Sequence, residues 1–320
     1  MRWLVLGITA AALATAPVRA QDQMADPDWR PRVAAPAYAA DGPRLRIDQG
    51  HGSVQTIEGR YAPFAALARA DGYVVDVARG LLTAPGTLDG IEVLVISNPA
   101  SPRDGSGRVS AFDRAEIEAL ARWVEAGGSL LLVADHAPHG AAAQALAARF
   151  GVEMGQGYLF QVAGRGPSTN LTYPRAALAD HPIIDGRGPS EAVKLVRTFT
   201  GQSLKGPPGS TILIATDAHA HEAADLATLQ RLDDRLAAGE PAETVIAELA
   251  RPALPAQGLA FAFGRGRVVV LGEAGMLTAQ IVHFPDDRDR APQRFGLNTD
   301  GHDDQQFALN ALHWLSRLLP

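Results

Sequence analysis

From residue 44 onward, short apolar runs alternate with stretches of helical spacing. Leu45-Arg46-Ile47-Asp48 is predicted as a first strand, and Ile57 to Ala70 as a helix carried by Tyr61, Phe64, Ala65 and Ala68. Tyr73 to Val77 follows as a second strand. Ile91-Glu92-Val93-Leu94-Val95-Ile96 is a third, apolar enough to be covered on both faces. Ser110 is expected to open the next helix, with Asp113 as its capping-box partner. That helix runs through Ile117, Leu120, Ala121 and Val124 and stops at Gly127-Gly128. Ser129 to Ala134 is the next buried strand. It passes directly into Asp135-His136-Ala137-Pro138-His139-Gly140 and an alanine-rich helix ending at Phe150. Strands alternating with amphipathic helices predict βαβ units and a parallel sheet.

The pattern then loosens. Residues 155 to 176 hold many Gly, Ser, Thr and Asn and are expected to run as an excursion over one face. Val193 to Phe199 and Thr211 to Ala215 read as strands, and Leu226 to Ala238 as a helix. Leu259 to Phe263 and Arg267 to Leu271 flank Gly264-Arg265-Gly266, a hairpin signal. Residues 280 to 303 read as a long polar loop, and Phe307 to Leu319 as a closing amphipathic helix. Residues 21 to 43, rich in Pro, Ala and Asp, read as a flexible leader, which makes 44 to 320 one α/β domain.

The first twenty residues have another character. Arg2 precedes an apolar stretch from Trp3 to Ala16, and Val18-Arg19-Ala20 places small residues where a signal peptidase cleaves. The expectation is export to the periplasm or medium, with a mature chain beginning at Gln21. No later run is long enough to predict membrane insertion. Loss of Arg2 and Arg19 takes the formal charge of −6 two units lower, to −8. A mildly acidic chain without a Lys/Arg cluster argues against a nucleic-acid partner. The chain contains no cysteine, which excludes disulfides, thiolate metal sites and a Cys nucleophile.

Gly-Gly-Ser-Leu-Leu-Leu-Val (127–133), His181-Pro182-Ile183-Ile184-Asp185-Gly186 and Gly-Arg-Val-Val-Val-Leu-Gly (266–272) together resemble the class I glutamine amidotransferase-like superfamily. The resemblance is to its exported bacterial members and, more distantly, to trehalose-utilisation-type proteins. Phe295-Gly-Leu-Asn298, Asp303 to Asn310 and His313-Trp314-Leu315 add to it, so that it spans about 44 to 318. It implies a flavodoxin-like, mainly parallel sheet flanked by helices. Glutaminases of the superfamily use a Cys on a sharp turn after a central strand. Here the corresponding turn is Ala134-Asp135-His136-Ala137-Pro138, so glutamine hydrolysis by that route is excluded. A sugar-related ligand is a further analogy from the trehalose-utilisation members.

In open parallel sheets ligands bind outside the carboxyl ends of the strands. The first strand ends at Asp48 and continues to His51 and Ser53, the fourth ends at Asp135-His136 with His139 following, and a late strand ends at Glu273. His51, His136 and His139 are the candidate ligands for a divalent metal such as Zn²⁺, which needs about three protein donors and one water. The competing reading is that these groups cap helices, order turns or bind a polar ligand directly. The catalytic candidates are His136, Asp135 and Glu273. The ligand-binding candidates are Asp48, Ser53, Asn298 and His302, the last two on a final loop placed to act as a lid. Gly50-His51-Gly52 as a phosphate cradle and Ser53 or Ser97 as a nucleophile lack the supporting motifs. Asp217, His219 and His221 read as a solvated cap before a helix, His181 as a turn residue, and His313 and Trp314 as packing residues. Two functions compete: a hydrolase for a small polar or carbohydrate-like substrate, and a non-catalytic module binding such a ligand in the same cleft.

Overall fold

The computed structural model describes residues 23–39, 41–163, 166–168, 170–216, 219–283 and 291–320. The expected signal peptide and Asp217 lie outside the described residues.

Among the described residues, nine strands form the main sheet. Val74–Ala78, Arg44–Asp48, Val93–Ser97, Ser129–Val133 and Gly266–Leu271 lie side by side in that order, and all four pairings are parallel. Ala256–Phe263 pairs antiparallel with Gly266–Leu271 through the hairpin expected at Gly264, whose φ of 59° suits a residue without Cβ. Leu204–Lys205, Glu153–Met154 and Thr211–Ala215 extend this antiparallel side. The sheet is therefore mixed and mostly parallel, in line with the mainly parallel sheet expected.

The side-chain period of two divides the apolar residues between two cores. Leu45, Ile47, Val93, Val95, Leu131, Val133, Val269 and Leu271 face one side, packed with helices Ala62–Ala70 and Asp304–Leu315. Leu94, Ile96, Leu130, Leu132, Val268 and Val270 face the other, under helices Arg114–Glu125 and His139–Arg149. The chain moves outward from Arg44–Asp48 to Val74–Ala78, then returns past its starting strand to Val93–Ser97. The order therefore reverses between Arg44–Asp48 and Val93–Ser97, and loops leaving such neighbours diverge to open a crevice.

Several expectations change. The first long helix is capped by Asp113, not Ser110. Asp113 accepts from Glu116 N at 2.8 Å while Glu116 accepts from Asp113 N at 3.1 Å. The supposed leader is docked: Gln23–Ala25 pairs with Ala279–Val282, and Trp29 Nε1 donates to Leu297 O at 3.0 Å. Its Pro-rich composition hid a three-residue strand too short to leave a periodic signal. The 280–303 stretch supplies the other two strands of this small sheet, Ala279–Val282 and Gln293–Gly296, while residues 284–290 lie outside the described part. The 155–176 excursion contains strands Tyr158–Ala163 and Asn170–Pro174, which pair with Ala220–Ala223 and Leu195–Phe199. Among the described residues no helix is long and apolar enough to cross a membrane.

Candidate functional site

Ser97, Val133 and Leu271 are aligned across the sheet, so their three strands finish level. The ladder runs one step further, with Asn98 N donating to Val133 O and Ala134 N to Leu271 O. Beyond that step the backbones diverge, and Asn98, Asp135 and Glu273 emerge together at one sheet edge.

Asp135 is the organised centre of this edge. Its Oδ2 accepts from Asn98 Nδ2 at 2.6 Å, its backbone N–H donates to Asn98 Oδ1 at 2.8 Å, and its Oδ1 accepts from Ala274 N at 2.9 Å. Gln202 Nε2 donates to Ala134 O at 2.8 Å and Asp135 O at 3.0 Å, while its Oε1 accepts from Gln156 N at 2.8 Å. Asn98 and Gln156 both hold positive φ, 43° and 62°. These conformations are costly for residues with a Cβ and mark backbone held by its surroundings.

His136 stacks on Tyr158 with ring centroids 4.0 Å apart, and its Nδ1 lies 2.8 Å from Ala137 O. His139 Nδ1 lies 3.1 Å from Pro99 O. A carbonyl only accepts, so each Nδ1 carries hydrogen, and in a neutral ring Nε2 keeps its lone pair. Burial pushes the His136 pKa below its ordinary value, against the pull of the Asp135 charge and with the help of nearby His139. His136 is thus a neutral base at neutral pH.

Glu273 lies behind this front and is only 2% exposed. One oxygen accepts from Gly275 N and the other from Met276 N, the second at 2.8 Å, fixing the turn after the last parallel strand. Burial raises its pKa well above the usual carboxylate range, the Asp135 charge adds to the rise, and the two backbone bonds only partly offset it. Asp304, also fully buried, is raised by burial in the same way, and its Oδ1 accepts from Arg197 N at 2.8 Å. Glu273, a catalytic candidate from the sequence, thus lies buried behind Asp135 with both oxygens on the Gly275 and Met276 amides.

His51 is not where a metal ligand would be. Its Nδ1 is 2.8 Å from Asp48 Oδ2 and its Nε2 is 2.9 Å from Glu116 Oε1, with all three side chains buried. Both nitrogens face carboxylates, so the ring bridges the first strand end to a helix start and has no lone pair to offer. Asp48 is spent in the same contact and in accepting from Gly50 N at 3.1 Å. Among the described residues no group of three His, Cys, Asp or Glu side chains is gathered as a metal site. The expected set of His51, His136 and His139 is thus divided: the latter two share the Asp135 edge and His51 is held apart by its carboxylates.

The other ligand-binding candidates are also tied into the scaffold. Ser53 Oγ donates to Ser97 O and accepts from Gln55 N, pinning the loop after the first strand. Asn298 accepts from Phe295 N at 3.1 Å and donates to Asp26 Oδ2 and Gln280 O, both at 2.9 Å, locking the small sheet. His302 lies with Nε2 2.8 Å from Thr299 Oγ1 and Nδ1 2.9 Å from Asp304 Oδ2, its side chain 2% exposed. All three are held by groups of the chain itself in these positions. His219 and His221 belong to a different place, a cavity of about 430 Å³ lined also by Val162, Ile246, Leu249 and Arg251. His221 is on strand Ala220–Ala223, not in a cap before the helix, which Asp225 starts instead. His313 does more than pack: its Nε2 is 2.6 Å from Asp71 Oδ2, joining the last helix to the end of Ala62–Ala70.

Asn98 and Arg60 are the residues that sequence reasoning passed over. Asn98 had a usable signal, a polar residue directly after a buried strand. Arg60 had none, because an arginine at the head of an amphipathic helix reads as solvated surface.

No family model matches the sequence, and no curated protein matches it. Among solved structures, the mmIFT52 N-terminal domain is similar over 85% of this chain and 97% of that chain, with 12% identity and a TM-score of 0.54. A ThuA-like protein from Bacteroides uniformis ATCC 8492 aligns over 89% of this chain and 93% of its own, at 14% identity and a TM-score of 0.41. The cytoplasmic protein STM3548 from Salmonella typhimurium aligns over 85% and 98%, at 11% identity and a TM-score of 0.42. The likeness to the mmIFT52 domain is one of fold alone: an α/β domain around a large, mostly parallel sheet.

Proposed function

We propose that this chain is an exported, amidotransferase-like hydrolase without glutaminase activity, acting on a small polar or carbohydrate-like substrate at the Asp135 edge. The observation that carries the reading is the Asp135–His136 turn. It presents an oriented carboxylate beside a neutral imidazole whose Nδ1 is tied to Ala137 O. A base of this kind suits general acid–base catalysis near neutral pH. His136 Nε2 takes a proton from water as the water oxygen bonds to the acyl or glycosyl carbon. The bond to the leaving oxygen then breaks, and that oxygen takes the proton back from the imidazolium. Asp135 stabilises the imidazolium between the two transfers.

The test is turnover of chromogenic esters and glycosides by the purified full chain, measured against pH. Hydrolysis is expected to persist below pH ~6.5, the ordinary imidazole value, and to fall only as pH drops through the lowered pKa of His136. A flat profile would remove His136 from the base role. Saccharide binding by calorimetry without any turnover would favour the second reading, a binding module using the same crevice. A stoichiometric metal in the purified protein would instead recast His136 and His139, both oriented through Nδ1 on carbonyls as metal-binding imidazoles are, as ligands. Export has its own check. N-terminal sequencing of the mature protein is expected to begin at Gln21 or within a few residues, and an intact Met1 in the soluble exported fraction would refute it.

A further inference from the structure

Arg60 sits on the loop that leaves strand Arg44–Asp48, next to Tyr61, the N-cap of helix Ala62–Ala70. That loop borders the crevice opened where the strand order reverses, between Arg44–Asp48 and Val93–Ser97. Its neighbours fix it there. Ser97 Oγ donates to the hydroxyl of Tyr61 at 2.7 Å, and Ser53 on the same loop donates to Ser97 O. The residue after Ser97 is Asn98, which clamps Asp135. Arg60 is half-buried, yet among the described residues it makes no hydrogen bond and no ion pair. The Asp135 charge acts on it electrostatically, and burial pulls its pKa below the ordinary guanidinium value.

A guanidinium that loses hydration and gains no partner is a cost to the fold. Among the described residues, other partly buried arginines avoid that cost. Arg46 is bidentate on Asp76, with Nε at 2.6 Å and Nη2 at 2.8 Å, and Arg187 is paired with Glu191. Arg60 alone in this comparison has five donors in a planar fork and nothing to receive them. Carboxylate and phosphate are the groups that such a fork matches in two parallel bonds.

We infer that Arg60 is the oxyanion-recognition residue of the crevice, so that the substrate carries a carboxylate or phosphate held by its guanidinium. This rests on the Asp135 edge being the ligand site. It narrows the substrate from small and polar to small, polar and anionic. Asp135 then has a second consequence: its negative charge repels the oxyanion from the imidazole side and confines it to the Arg60 side.

The experiment is a thermal-shift and calorimetric titration of the full chain with glucuronate, inorganic phosphate and glucose, on wild type, Arg60→Met and Arg60→Lys. At least one oxyanion is expected to raise the melting temperature of wild type while glucose does not. A response to glucuronate alone assigns a carboxylate, and to phosphate alone a phosphate. Arg60→Met is expected to weaken oxyanion binding by about tenfold to a hundredfold, the weight of a charged hydrogen bond. Arg60→Lys, which keeps the charge and loses the fork, is expected to recover only part. Without ligand, Arg60→Met is expected to melt no lower than wild type, because an unpaired cation has been removed. Three results overturn the inference: no oxyanion response in wild type, an equal response in Arg60→Met, or a marked loss of ligand-free stability in that variant. Turnover is measured separately, so hydrolysis without charge selection would refute this assignment and leave the hydrolase reading intact.

Discussion

Replacing His51 with alanine is expected to destabilise the fold by about 3–5 kcal/mol, the cost of breaking a buried ion-paired group by removing one partner. The wild-type ring lies between Asp48 and Glu116, each within 2.9 Å, and all three side chains are at most 4% exposed. Carboxylates only accept, so satisfying both requires hydrogen on both ring nitrogens and hence an imidazolium. Removing it leaves two buried carboxylates facing a void beside Phe112, whose ring centroid is 4.4 Å from that of the histidine. Urea denaturation measures the loss. A variant with the wild-type midpoint at pH 7 would show that the pair of contacts is not structural.

The sign of the pH dependence follows. Burial opposes the charge on His51, but the bonds and charges of Asp48 and Glu116 outweigh it, and its pKa is raised. A raised folded pKa means stability fully present below the unfolded value of about 6.5 and lost as pH rises through the folded value. His136 acts oppositely: its lowered pKa costs stability as pH falls below about 6.5. Wild type should therefore lose stability on the alkaline side through His51, and His51→Ala should not show that loss.

His136→Gln is expected to lower turnover by about 10²–10⁴-fold, the usual contribution of a positioned general base. Its effect on folding should be far smaller than that of His51→Ala, because its ring only stacks on Tyr158 and makes one bond, to Ala137 O. Asn98→Ala provides the graded partner. It leaves His136 in place but removes the two Asn98 contacts to Asp135 and keeps only Ala274 N on its Oδ1, so its effect should fall on the rate more than on substrate affinity. Steady-state rates with melting curves for each variant separate these outcomes. Equal losses of stability and rate in His136→Gln would return His136 to a structural role.

Val93–Ser97 and Ser129–Val133 were legible because each is an apolar run buried on both faces, and the rule that ligands bind beyond strand ends pointed to the edge where Asp135 and His136 lie. The same rule misplaced His51. It locates a residue at an edge but is blind to Glu116, which is 65 positions away and closes the second nitrogen. Asn298 and His302 carry a related lesson: polar loop residues can be satisfied by the chain's own groups, which no local pattern reveals. Glu273 was placed at the correct edge, but its depth depends on the Gly275 and Met276 amides that wrap it. Arg60 was invisible because its significance lies in missing a partner, which no local pattern encodes.

The strand order also sets a timetable for synthesis. Ser129–Val133 waits for its second neighbour, Gly266–Leu271, until more than 130 further residues have been made. Until then one edge of an entirely buried, five-residue apolar strand stays unpaired. The nascent chain therefore cannot close its sheet before residues 266–271 have been made, and such non-local pairing is slow even afterwards. Interruption upstream of residue 266 should yield insoluble fragments instead of smaller folded units. Late closure also leaves the central strands open along one edge until residues 266–271 are in place.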